Sequence, residues 1–96
     1  SRGAIKSLVK YFSSVLGKYK IRVNSVSPDF LIKSENKKFF NKNKKIIKKI
    51  EKKIPLQRVG TARDVSNLVS FLCSDKSTFI TGQNINVDGG LTVPRN

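Results

Sequence analysis

The chain has 96 residues, of which 38% are hydrophobic, a composition that supports one small folded unit with a modest core. Twenty Lys and Arg against six Asp and Glu leave a net charge of +14, and there is no His. His-based zinc sites, Ser-His-Asp triads and Cys-His nucleophile pairs are therefore excluded. The single Cys73 allows neither an internal disulfide nor a two-cysteine metal clamp, which suits a reducing, cytoplasmic compartment, and no metal site is expected. No apolar run approaches the roughly 20 residues needed to cross a bilayer, and the residues from Ser1 onward do not resemble the charged-then-apolar pattern expected of a signal peptide.

Ala4, Ile5, Leu8, Val9, Phe12, Val15, Leu16 and Tyr19 recur at three- and four-residue spacing, which predicts a first helix weakened near its end by Gly17. The β-branched run Ile21–Val26, closed by Pro28, predicts a strand. A second helix is predicted from about Thr61 to Cys73. Thr61 and Asp64 make its start, and Val65, Leu68, Val69 and Leu72 make its apolar stripe. Gly82 releases a second strand, Gln83 to Val87, ended by Asp88-Gly89-Gly90. Helix, strand, insertion, helix, strand is the rhythm of an α/β fold with a parallel sheet.

The insertion, residues 33–54, holds ten lysines against Glu35 and Glu51 and contributes +8 of the charge. On a helical projection Phe39, Phe40, Ile46, Ile47, Ile50 and Ile54 fall within about 120°, so one apolar face is expected, broken at Asn41-Lys42-Asn43. Three readings compete. Nucleic acid would want exposed aromatics and Arg, yet both Phe sit on the apolar arc and no Arg lies among the ten cations. A membrane-surface helix is allowed by charge and amphipathicity. The favoured reading is a solvated face on a lid, with nucleic acid and membrane disfavoured. Asp88-Gly89-Gly90 reads as a tight turn rather than a phosphate loop, because only residues 91–96 follow it. Cys73 reads as a buried structural thiol, with neither His nor a second Cys to activate it.

Several phrases together resemble the short-chain dehydrogenase/reductase family. Ile21-Arg22-Val23-Asn24-Ser25-Val26-Ser27-Pro28 is similar to its Ile-Arg-Val-Asn-x-Val-x-Pro-Gly segment. Pro55-Leu56-Gln57-Arg58-Val59-Gly60-Thr61 with Asp64-Val65 resembles Pro-Leu-x-Arg-x-Gly-x-Pro-Glu-Asp-Val. Phe71-Leu72-Cys73-Ser74-Asp75, Ile80-Thr81-Gly82-Gln83 and Val87-Asp88-Gly89-Gly90 resemble its ending. The likeness runs from Ser1 to Val93 except for about Lys33 to Lys53, the family's variable substrate-binding region, and is nearest to the branch of 3-oxoacyl-carrier-protein reductases.

The resemblance implies an α/β fold, the C-terminal part of a Rossmann-type doubly wound parallel sheet. It also implies NAD- or NADP-dependent hydride transfer on a carbonyl or alcohol carbon of a small molecule, in a homo-oligomer. Arg2 takes the place of the family's catalytic lysine. Pro28, Asp29, Phe30, Leu31 and Ser34 fall on the loop that meets the nicotinamide, with Asp29 in place of glycine and Lys33 in place of the usual threonine. The family's Gly-x-x-x-Gly-x-Gly cofactor turn and catalytic tyrosine match nothing in these 96 residues. The expectation is one domain portion, 1–96, inactive by itself. The alternatives are a module that associates with a full-length relative and a basic nucleic-acid-binding peptide.

Overall fold

A computed structural model describes residues 2–32 and 37–93. The elements in chain order are α1 (Arg2–Leu16), β1 (Ser25–Pro28), β2 (Leu31–Ile32), α2 (Lys37–Lys42), α3 (Lys44–Lys53), β3 (Gly60–Thr61), α4 (Ala62–Leu72) and β4 (Asn84–Val87). They form two compact units, one of residues 1–27 and 67–85 and one of residues 28–66 and 86–96.

In the first unit α1 stops at Leu16, where Gly17 opens a short 3-10 turn. Lys20 closes that turn in the left-handed region at φ 64°, its N–H donating to the Gly17 carbonyl at 2.9 Å. Val9 is buried. Ile5, Leu8, Phe12 and Val15, at helical spacing along α1, are all exposed, Leu8 by 56%.

The strand expected at 21–26 begins later, at Ser25. Side chains replace the ladder before it: the Val23 N–H donates to Thr81 Oγ1 at 3.0 Å and the Gln83 N–H to Asn24 Oδ1 at 3.0 Å. From Ser25 the backbone takes over. The Ser25 N–H donates to the Gln83 carbonyl and the Asp29 N–H to the Val87 carbonyl, so the bonds climb both strands in the same direction and β1 runs parallel to β4.

Arg22 just precedes β1. Its guanidinium donates to the carbonyls of Leu72, Ser74 and Ser77 at 2.6, 3.2 and 2.9 Å, and to Ser77 Oγ at 2.8 Å. A cation here meets carbonyls at and just beyond the C-terminus of α4, at the negative end of its dipole.

In the second unit the core gathers Ile47, Ile54 and Val59, with Phe40, Ile50 and Leu91 packed against them. Each fully buried side chain of this size contributes about 1.5–3 kcal/mol. The break expected near Asn43 is there: its N–H and Nδ2 both donate to the Phe39 carbonyl, at 3.0 and 2.8 Å, ending α2 before α3 begins. The apolar arc is narrower than the sequence implied. Ile47 and Ile54 are buried, but Phe39 and Ile46, at its margins, are 54% and 49% exposed.

Leu31 pairs with Gly60 and Ile32 with Thr61 in a short parallel ladder that periodicity does not announce. The α4 start is as expected. Asp64 Oδ2 accepts from the Thr61 N–H at 2.8 Å, and the Asp64 N–H donates to Thr61 Oγ1 at 3.3 Å, a reciprocal cap. No described helix is long and apolar enough to cross a membrane.

Candidate functional site

Ligands of open parallel sheets bind beyond the carboxyl ends of the strands. In this chain the carboxyl end of β1 is the turn Pro28-Asp29-Phe30, leading into Leu31 of β2. Two backbone bonds fix it: the Asp29 N–H donates to the Val87 carbonyl at 3.2 Å, and the Phe30 carbonyl accepts from the Gly60 N–H at 2.9 Å.

Held this way, Phe30 lies in the left-handed region at φ 51°, a conformation that bulky residues adopt only under constraint, and the residue is 44% exposed. Pro28 is exposed, and Asp29 and Leu31 are half-buried. The turn thus offers a rigid, accessible edge with Asp29 where the resemblance implied bare backbone.

Gly60 and its neighbours support that edge. A Cβ on Gly60 would lie 2.8 Å from Leu31 Cδ2, so glycine lets the two strands close. Asp64 beside it is gripped by Arg58, whose Nη1 and Nη2 donate to Oδ2 and Oδ1 at 2.9 and 3.0 Å. The Arg58 side chain, then the Thr61 N–H, hold the Asp64 carboxyl well below the usual carboxylate range. The same pairing pushes Arg58 up. In the sequence these residues are legible only as a motif; in the fold they hold β3 against the loop.

The sequence-derived residues distribute as follows. Pro28, Asp29, Phe30 and Leu31 form one continuous turn in the second unit. Arg2 is exposed at the first position of α1, in the first unit. Ser34, like Lys33, lies outside the described residues.

Asp88-Gly89-Gly90 is a turn, as expected, and is unsuited to phosphate. The Asp88 carboxylate accepts from the Gly90 N–H at 2.9 Å, from the Thr92 N–H at 3.2 Å and from Thr92 Oγ1, so the turn's donors already face an anion. The Thr92 hydroxyl, foremost, lowers the Asp88 pKa. Gly89, at φ 63°, packs under Ile54. With its donors committed to its own carboxylate, this turn does not fit a pyrophosphate.

Cys73 corrects an expectation, for it is exposed. It lies one residue past the buried Leu72, rotated about 100° from it, so the turn of the helix carries it off the apolar stripe. With Lys20, Arg22, Asn24, Val26, Val69 and Leu72 it lines a hollow of about 470 Å³ in the first unit. The Arg22 guanidinium is already bonded to carbonyls.

The parallel strand pairs and the helices between them are those of a Rossmann-type α/β protein. A family model described as enoyl-(acyl carrier protein) reductase matches residues 1–92. A tropinone reductase homolog of Arabidopsis thaliana is 41% identical over 93 residues, covering 97% of this chain and 33% of its own length. A glucose 1-dehydrogenase of Gluconobacter oxydans is 33% identical over 97% of the chain and 35% of its own length. Among solved structures, a short-chain dehydrogenase family protein of Francisella tularensis superposes with a TM-score of 0.81 at 37% identity, covering 96% of this chain and 41% of that one. A 4-hydroxyisoleucine dehydrogenase mutant complexed with NADH and succinate gives 0.85 at 34% identity, covering 98% and 38%. The chain belongs to the short-chain dehydrogenase/reductase family. It spans about a third of the length of the curated relatives it matches.

Proposed function

We propose that these residues form the C-terminal part of an NAD(P)-dependent oxidoreductase acting on a carbonyl or alcohol carbon of a small molecule. Residues 1–96 are read as part of one domain, in which 33–54 is the substrate lid. The observation that carries this reading is the turn at the end of β1, pinned on both sides and open on its outer edge.

When bound, a nicotinamide dinucleotide supplies the hydride exchange. Pro28, Asp29, Phe30 and Leu31 would hold its nicotinamide end, with Ser34 following. The rigid backbone orients it, and the Phe30 ring screens it from water. Arg2 stands at the family's lysine position and would keep a positive charge there, without a proton to relay, since guanidinium does not deprotonate in proteins. One structural relative is an NADPH-dependent reductase and another is complexed with NADH, so either dinucleotide is in keeping. A cytoplasmic setting accords with the lone reduced Cys73.

The test is a chimera in which residues 1–96 replace the matching part of the Francisella tularensis protein. It should bind NADH or NADPH, and Asp29→Gly should tighten that binding. A folded chimera whose Asp29→Gly form binds neither dinucleotide would refute the proposal.

The exposed stripe on α1 favours a second reading beside the first. Through Ile5, Leu8, Phe12 and Val15 the chain would associate with a full-length relative. Co-elution with that relative, lost on Leu8→Lys, is the expected result.

A further inference from the structure

The lysines of the lid are arranged, not scattered. Taking 100° per residue along α3, Lys44, Lys48, Lys52, Lys45, Lys49 and Lys53 fall in one continuous half of the helix, and Ile46, Ile50, Ile54 and Ile47 in the other. The apolar half is largely occupied by the protein: Ile47 and Ile54 are buried with Val59. All six lysines are exposed, as are Lys37, Lys38 and Lys42 of α2. Nine cations thus crowd the outer surface of two short helices, with Glu51 the only acid from 37 to 53.

This arrangement opposes the helix that carries it. Lysines four apart, 44 with 48 and 45 with 49, repel along one face. Lys44 and Lys45 stand in the first turn, where the dipole disfavours cations, and Asn43 gives no side-chain cap. A partner rich in negative charge would relieve each of these costs.

The nature of the cations narrows the partner. All nine are lysines, although the chain uses arginine where carbonyls or a carboxylate must be gripped with fixed geometry, at Arg22 and Arg58. Lysine is a mobile point charge, suited to a fluid array of anions rather than to bidentate recognition. The sequence placed Phe39 and Ile46 against the core; the structure exposes one on each lid helix beside the lysines. Exposed apolar side chains flanking lysines suit the boundary between headgroups and acyl chains.

We infer that the outer face of the α2–α3 lid is a docking surface for anionic phospholipid, engaged peripherally by its lysines with Phe39 and Ile46 at the boundary. It stands apart from the proposed reaction and does not depend on it.

The 96-residue chain should co-sediment with phosphatidylcholine vesicles carrying phosphatidylserine, not with phosphatidylcholine alone, and salt should weaken the binding. The triple variant Lys44→Gln, Lys48→Gln, Lys52→Gln should weaken it by roughly 100-fold, from about 1 kcal/mol per lysine at the surface. An equal change of charge elsewhere, Lys6→Gln and Lys10→Gln on α1 with Lys18→Gln in the 3-10 turn after it, should weaken it far less. Helix content by circular dichroism should survive the lid variant, which removes repulsion. A second lid variant, Lys45→Gln with Lys49→Gln, provides the same comparison should the first unfold. Absence of vesicle binding at low salt, equal loss from the two triple variants, or tighter binding to a DNA oligonucleotide than to the anionic vesicles would each overturn the inference.

Discussion

Arg22 Nη1 donates to Ser77 Oγ at 2.8 Å, joining residues 55 apart in sequence around a hydroxyl that is 1% exposed. The same guanidinium takes the Leu72, Ser74 and Ser77 carbonyls, so one side chain ends α4 and anchors the chain just before β1. Arg22→Leu should destabilise the chain by about 1.5–3 kcal/mol, the range for hydrogen bonds to charged groups, because it removes the charged donor that these acceptors share. Arg22→Lys should recover only part of this, since one ammonium cannot span the same acceptors. Urea unfolding of the variants measures both.

Two glycines should respond differently to alanine. At Gly89 a Cβ would stand 2.6 Å from Ile54 Cγ2, a stiff branched side chain, and φ is 63°. At Gly60 the obstacle is Leu31 Cδ2, the far end of a flexible side chain, at 2.8 Å. Gly89→Ala should cost about 2–4 kcal/mol from left-handed strain and overpacking together. Gly60→Ala should cost distinctly less and shift the Leu31 rotamer. Comparison of unfolding midpoints decides it.

Acid should weaken the fold through Asp64 and Asp88. Both carboxyls have folded pKa values below their ordinary ones, Asp64 through Arg58 and Asp88 through Thr92. The unfolded state therefore binds more protons. The stabilisation is complete above the ordinary carboxylate pKa of about 4 and is lost as pH falls below it. Unfolding free energy should fall between about pH 5 and pH 2, and Asp64→Asn should flatten that dependence.

At the candidate site, Asp29 and Arg2 should produce separable defects in the chimera with the Francisella tularensis protein. Asp29→Gly should chiefly lower the dinucleotide dissociation constant by removing a side chain and a charge from the turn. Arg2→Lys should chiefly raise turnover, by about 10²–10⁴ if proton relay is the missing element. Equilibrium titration and steady-state kinetics distinguish them. Unchanged constants in both variants would show the two departures to be neutral.

The sequence by itself determined the local signals. Spacing located α1 and α4, Gly17 and Thr61-x-x-Asp64 bounded them, and Asn43 divided α2 from α3. Each rests on interactions within a few residues, which a linear pattern records. Only the tertiary structure decided the start of β1, because Thr81 and Gln83, nearly 60 residues away, meet Val23 and Asn24 with side chains in the pairing. It also decided that Leu31 pairs with Gly60, that Phe30 is held at positive φ, and that Cys73, Phe39 and Ile46 face outward. Periodicity assigns a residue to one face of a helix; how much of that face is covered depends on the breadth of what packs against it. Residues at the margin of an apolar arc are therefore settled by packing alone.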